Sequence, residues 1–148
     1  MAPISEVQTQ SLQDQELATV LVVDDNRLTA TSLARVLSAA NYATAVALCG
    51  GDALECAKAA PISAAVIDIH LPDINGLVLS QQLRELIGPD KPIIVLSGDT
   101  SMEVINSLSH VGATHFFSKP VNVRELLLRL KLALTERGSD AINSISPG

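Results

Sequence analysis

The stretch "TVLVVDDNR" at residues 19–27 sets the question for the whole chain. Four apolar residues, Val20 to Val23, run straight into two adjacent carboxylates, Asp24 and Asp25. Such an uninterrupted apolar run reads as a strand covered on both faces. Its end is a poor place for two like charges. Either the pair caps the helix that follows, or a cation sits between them.

Four similar runs lie downstream. "ATVLVV" (18–23) is followed by "ATAVAL" (43–48), "SAAVID" (63–68), "PIIVLS" (92–97) and "ATHFFS" (113–118). The segments between them keep a helical period: Ala30, Leu33, Ala34, Leu37 and Ala40 share one face. Val123, Leu126, Leu127, Leu130 and Leu134 share another. Turn signals stand where helices should end, as "GP" at 88–89 and "GA" at 112–113. Five strands alternating with five helices predict an α/β fold, a doubly wound parallel sheet with helices on both faces. There is no internal repeat.

Composition sets the outer bounds. A chain of 148 residues, 47% hydrophobic, suits one domain with a full core. Its aromatics are Tyr42, Phe116 and Phe117, so that core is aliphatic. A formal charge of −6 argues against a nucleic-acid-binding surface. Cys49 and Cys56 form no disulfide framework, which fits a reducing compartment and small apolar packing roles. The opening "MAPISEVQTQSLQDQE" lacks the basic and apolar regions of a secretory signal. No apolar run approaches the roughly 18 residues of a membrane span, so a cytoplasmic protein is expected. The polar, Gln-rich residues 1–17 and the stretch 136–148, with its Gly- and Ser-rich end "GSDAINSISPG", read as tails around a domain at 18–135. Met1 and the polar lead favour a natural amino terminus. Too few residues follow the last helix for an output domain, which leaves a stand-alone module or a piece of a longer regulator or hybrid kinase.

In an open parallel sheet, chemistry gathers at the carboxyl ends of the strands. Strand one ends in Asp24 and Asp25, strand three in Asp68, strand four in Ser97 and strand five in Lys119. Strand two ends in "LCGG", which carries no charge. Two carboxylates about 4 Å apart repel by roughly 4 kcal/mol at an effective dielectric of 20. The Lys119 ammonium and an oxygen-bound divalent cation would relieve this. Magnesium suits such a site because it takes few carboxylates, keeps waters and bridges to phosphate. Asp68 beside such a metal would be a nucleophile toward a phosphoryl group.

These residues carry a resemblance. "VVDD", "DIHLPDINGL" (68–77), "SGD" (97–99) and "KP" (119–120) together resemble the receiver domain of two-component response regulators, over roughly residues 18–135. Each piece is weak alone, but the ordered separations of 43, 29 and 22 residues from Asp25 to Asp68, Ser97 and Lys119 are specific. The resemblance implies a flavodoxin-like (βα)5 sandwich with strand order 2-1-3-4-5. It implies that Asp68 accepts a phosphoryl group from a histidine kinase or histidine phosphotransfer protein. Asp25, Asp68 and the main-chain carbonyl of His70 would bind Mg2+ directly, and Asp24 mainly through a water. Ser97 and Lys119 would engage phosphoryl oxygens, the Lys119–Pro120 peptide would be cis, and Phe116 would rotate inward with Ser97. Autodephosphorylation in the same site would reset a signalling switch rather than turn over small molecules. The family also implies a partner or homodimer face made by the fourth helix, fifth strand and fifth helix.

Plainer roles stand beside these. Asp24 and Asp25 suit helix caps, Ser97 could cap a helix starting near Thr100, Gly98 could be a turn glycine, and Phe116 could be core. His70 and Asp99 are expected to matter for access of water to a phosphoaspartate. His70, His110 and His115 form no ligand cluster, so zinc is not indicated. Leu128 and Leu132 make the last helix apolar nearly all round, which suits either cover by the tail or a contact surface. Two rival functions remain. One is a phosphate-indifferent binding module, disfavoured by the intact Asp24, Asp25, Asp68, Ser97 and Lys119. The other is a haloacid-dehalogenase-type phosphohydrolase, which needs Asp-x-Asp where this chain has "DIH". No G-x-G-x-x-G or P-loop follows strand one, so nucleotide binding is weaker still.

Overall fold

The computed structural model describes residues 17–98 and 115–145, with side chains as far as 135. In chain order the elements are β1 (Thr19–Val23), α1 (Arg27–Ala39), β2 (Ala43–Ala47), α2 (Gly50–Ala59) and β3 (Ala64–Asp68). They continue as α3 (Gly76–Ile87), β4 (Ile93–Ser97), β5 (His115–Ser118) and α4 (Val123–Ile145). The fourth helix of the sequence reading, with Asp99, Thr100 and His110, lies outside the described residues. The helix labelled α4 is therefore the fifth of that reading.

The five strands form one parallel sheet in the order β2-β1-β3-β4-β5. The sequence reading of a doubly wound α/β sheet matches this order. The central strands β3 and β4 are buried at every position, as their unbroken apolar character requires, whereas β2 and β5 are the partly exposed edges. Side chains alternate across the sheet. Val20, Val22, Val66, Ile94 and Leu96 pack with Leu33 and Leu37 of α1 and Leu126 and Leu130 of α4. On the other face Leu21, Val23, Ala65, Ile67 and Ile93 pack with Ala53 of α2 and Leu79 and Leu83 of α3.

Local chemistry fixes the helix ends. The Asn26 side chain accepts from the Thr29 N–H at 3.0 Å and caps α1. Asn75 accepts from the Leu77 N–H at 2.7 Å and caps α3, which stops at Gly88 with φ 109°. The helix α4 does not end at the expected domain boundary near 135 but continues through Ile145, across Gly138. One glycine inside a helix costs only about 1 kcal/mol, too little to force a stop. Among the described residues, no helix is long and apolar enough to cross a membrane.

Candidate functional site

Three of the four strands that contribute to the site, β1, β3 and β5, are each pinned by a hydrogen bond beyond the last residue. The Asp24 N–H donates to the Ala47 carbonyl at 3.1 Å, the Ile69 N–H to Leu96 at 3.0 Å, and the Lys119 N–H to Ser97 at 2.9 Å. The sheet register sets Val23 beside Ile67, Asp68 beside Leu96, and Ser97 beside Ser118. Asp24, Asp68, Ser97 and Lys119 thus leave the same edge of the sheet on backbone that cannot drift. A carboxylate oxygen from each of Asp24, Asp25 and Asp68 lies within 4.8 Å of those of the other two.

The environments of the three acids differ. Asp24 and Asp68 are buried, and Asp25 is exposed. Asp24 Oδ1 accepts from the Asn26 N–H at 2.9 Å, a local turn that steers the chain into α1. The helix cap is Asn26, so neither aspartate is needed for it. Asp68 Oδ1 accepts from the His70 N–H at 3.1 Å. Lys119 Nζ lies 3.0 Å from Asp68 Oδ2 and 3.3 Å from Asp24 Oδ2. Burial alone would lower the lysine pKa, but hydrogen bonding and charge from Asp68, then from Asp24, outweigh it and leave the pKa raised. One ammonium faces three carboxylates, an excess of two negative charges at the sheet edge.

The other predicted residues lie on β4, on β5 and in the loops after β3 and β5. The Lys119–Pro120 peptide is cis. Ser97 is fully buried at the end of β4. Among the described residues nothing lies within 4 Å of where a Cβ on Gly98 would stand. Phe116 is half-buried opposite Val95 and packs against Ile69 and Leu77. His70 is exposed, bridged to Asn75 across the loop that follows β3. Cys49 and Cys56 are free and half-buried, and Cys56 packs on the α2–α3 side of the core.

Two features were missed in the sequence. Asn26 fits the rule that Asn before a periodic apolar segment caps it, but Asp24 and Asp25 drew attention away. Asp73 had no local signal. Its carboxylate accepts from the Gly50 and Gly51 N–H groups at 2.8 and 2.9 Å, partners 23 and 22 residues away. Beside the cluster, an apolar groove of about 730 Å³ runs along α1 between Leu28, Leu33, Val36, Leu96 and Val121, with Lys119 in its wall. Leu28 at its rim is 78% exposed.

The family model described as "Response regulator receiver domain" matches residues 20–131. The chain belongs to this family. As a receiver domain of two-component systems it is a signalling switch of CheY-like fold. It is 35% identical over 121 residues to a protein described as "Response regulator MprA" from Mycolicibacterium vanbaalenii, a match covering 82% of this chain and 52% of that protein. The receiver thus spans about half the length of the curated relatives it matches. Among solved structures, it resembles a CheY-like receiver domain from Methanospirillum hungatei with a TM-score of 0.80 and 30% identity, covering 84% of this chain and 99% of that one. A response regulator from Burkholderia pseudomallei, described with a phosphorylated aspartic acid, calcium ion and citrate, gives a TM-score of 0.72 and 33% identity. That match covers 85% of this receiver and 74% of that chain.

Proposed function

We propose that this receiver takes a phosphoryl group onto Asp68 from a phosphohistidine donor, in a reaction that requires Mg2+, and that the modified Asp68 changes the surface read by a partner. One observation carries the reading: Asp68, 6% exposed, is hydrogen-bonded to Lys119 while two further carboxylates crowd within 4.8 Å. An all-oxygen donor set with two uncompensated negative charges fits a hard divalent cation. Asp25, Asp68 and the His70 carbonyl would hold Mg2+ directly, with Asp24 acting mainly through a water. When bound, Mg2+ offsets charge on the phosphoryl oxygens during transfer.

This chain's residues do the rest. A carboxylate oxygen of Asp68 attacks phosphorus in line with the donor P–N bond. That bond breaks with its electron pair on the imidazole nitrogen, and Asp68 becomes an acyl phosphate. The Lys119 ammonium, now facing Asp68 Oδ2, pairs with a phosphoryl oxygen, and the Ser97 hydroxyl donates to another. Phe116 follows Ser97 inward, and the population shifts between two states of the surface around β5 and α4. Attack of water on phosphorus in the same site restores Asp68.

The donor is a histidine kinase or a histidine phosphotransfer protein, and the apolar groove beside Lys119, with Leu28 at its rim, suits an apolar helix of that donor. A partner or a second copy would read the face that includes β5 and α4, where Leu128 and Leu132 are 57% and 40% exposed. We place the protein in the cytoplasm, with no nucleic-acid or membrane contact by this chain. The test is intact mass after incubation with acetyl phosphate, with magnesium or with chelator, for wild type and Asp68→Asn. Gain of one phosphoryl that needs both magnesium and Asp68 is expected. No gain from acetyl phosphate or from a cognate phosphohistidine donor would leave a phosphate-independent binding module as the better reading.

A further inference from the structure

The loop from Ile69 to Asn75 joins β3 to α3 and carries His70, so its shape sets the geometry around Asp68. Its base is closed tightly. The Gly76 N–H donates to the Ile69 carbonyl at 2.8 Å, and a Cβ on Gly76 would stand 2.5 Å from the Asp68 carbonyl oxygen and 2.6 Å from Ile69 Cα. The tip of the loop is held by another element altogether. Asp73 Oδ1 and Oδ2 accept one hydrogen bond each from the first two N–H groups of α2, at Gly50 and Gly51. Ile74 lies so close to Gly50 that any Cβ there would collide with its Cγ2 at 2.1 Å.

The α2 helix needs this contact. Its N-cap residue, Cys49, makes no side-chain cap hydrogen bond, so the cap comes from Asp73 across space. A carboxylate at a helix N-terminus is also favoured by the helix dipole, and both of its bonds are charge-assisted. The amide bonds hold the Asp73 carboxyl below its ordinary value, so it stays ionised at neutral pH. The loop is therefore fastened at its base by backbone and at its tip by the Asp73 contact, with Leu71 and Ile74 packed against the core. Removing Asp73 takes away the polar tether and leaves that apolar packing in place.

We propose that Asp73 is a positioning residue for the phosphoacceptor site: by seating on the Gly50 and Gly51 amides it fixes the loop that presents the His70 carbonyl, and so sets the affinity for Mg2+. This rests on the metal-dependent reading above. Among the described residues the Asp73 carboxylate bonds to Gly50 and Gly51 and not to Asp24, Asp25 or Asp68, so it acts through the loop. Removing a group that orients a metal ligand typically costs about 10–100-fold in affinity. For Asp73, one step further from the ion, a loss of about three- to tenfold is expected.

The experiment measures Mg2+ binding by titration calorimetry at pH 7, with amide hydrogen exchange of the same samples. The proteins are wild type, Asp73→Ala, Asp73→Asn and Gly51→Pro. The last replaces the Gly51 N–H, which donates to Asp73 at 2.9 Å, by a ring carbon, and so unseats the carboxylate from the helix side while residue 73 stays aspartate. Expected are weaker Mg2+ binding in Asp73→Ala, a smaller loss in Asp73→Asn, which keeps one acceptor, and a loss in Gly51→Pro comparable to that in Asp73→Ala. Faster exchange should be confined to the amides of α2's first turn and the loop, which excludes global unfolding as the cause. Wild-type Mg2+ affinity in Asp73→Ala, with its exchange faster at Gly50 and Gly51, would overturn the proposal and leave the metal site standing. Absence of Mg2+ binding by wild type would overturn both.

Discussion

Asp25 is the carboxylate whose removal separates repulsion from metal binding. Among the described residues its side chain makes no hydrogen bond or ion pair, whereas Asp24 and Asp68 both reach Lys119. Without a metal it faces two carboxylates and one ammonium, so repulsion prevails and Asp25→Asn should stabilise the fold. At 4.8 Å, the outer bound of the cluster, each pair repels by about 0.9 kcal/mol in water and about 3.5 kcal/mol at a dielectric of 20. Because Asp25 is exposed, the lower figure governs, and its two pairs sum to about 2 kcal/mol, of which the Lys119 ammonium beside both partners offsets about half. For a chain of this size the remainder raises the melting temperature by roughly 2–4 °C in chelator. Magnesium should reverse the trend. Saturation at a hundred times Kd stabilises wild type by about 2.7 kcal/mol, and the advantage of the variant shrinks by about 1.4 kcal/mol for each tenfold loss of affinity. Thermal melts followed by far-ultraviolet circular dichroism, with chelator and across a magnesium series, read both effects. An Asp25→Asn protein no more stable than wild type in chelator would refute the repulsion argument. A stability gap that magnesium leaves unchanged would refute a role for Asp25 in metal binding.

Three further outcomes are expected. Gly76→Ala pushes a methyl group into the Asp68 carbonyl oxygen and Ile69 Cα, and should cost about 3 kcal/mol in urea denaturation. Asn26→Ala removes the α1 cap and should cost about 1 kcal/mol in the same assay, with phosphorylation of Asp68 retained. The folded-state pKa of Asp73 lies below the ordinary 3.8, so the unfolded chain takes up its proton first as pH falls. The stability advantage of wild type over Asp73→Asn should therefore be full above pH 5, and should close as pH drops through 3.8 toward the depressed folded value. A gap that persists unchanged at pH 2 would count against the Asp73 contact.

Much of this was open to a reader of the sequence, for identifiable reasons. All five strands lie within the expected runs, because an uninterrupted "VLVV" or "IIVLS" between turn signals has few other uses. Asp24, Asp25, Asp68 and Lys119 were legible as a cluster because parallel strands place their carboxyl ends on one edge, whatever the loops do. The end of the last helix was less legible. Gly138 and its serine neighbours suggested a tail, yet the backbone remains helical to Ile145.

By itself, then, the sequence determined the alternation of elements, the apolar faces and the identities of the charges at the sheet edge. These depend on periodicity and on residue type, both of which are local. Tertiary structure alone decided how those charges are shared out. Lys119 is 95 and 51 residues from the aspartates it bridges, Asp25 is left to solvent, and Asp73 caps a helix that begins 23 residues before it. Strand ends reveal which charges gather, but not which donor each carboxylate takes. These contacts arise because the register of five parallel strands brings distant chain segments within hydrogen-bonding distance, where a carboxylate settles on whichever donors the packing has left open.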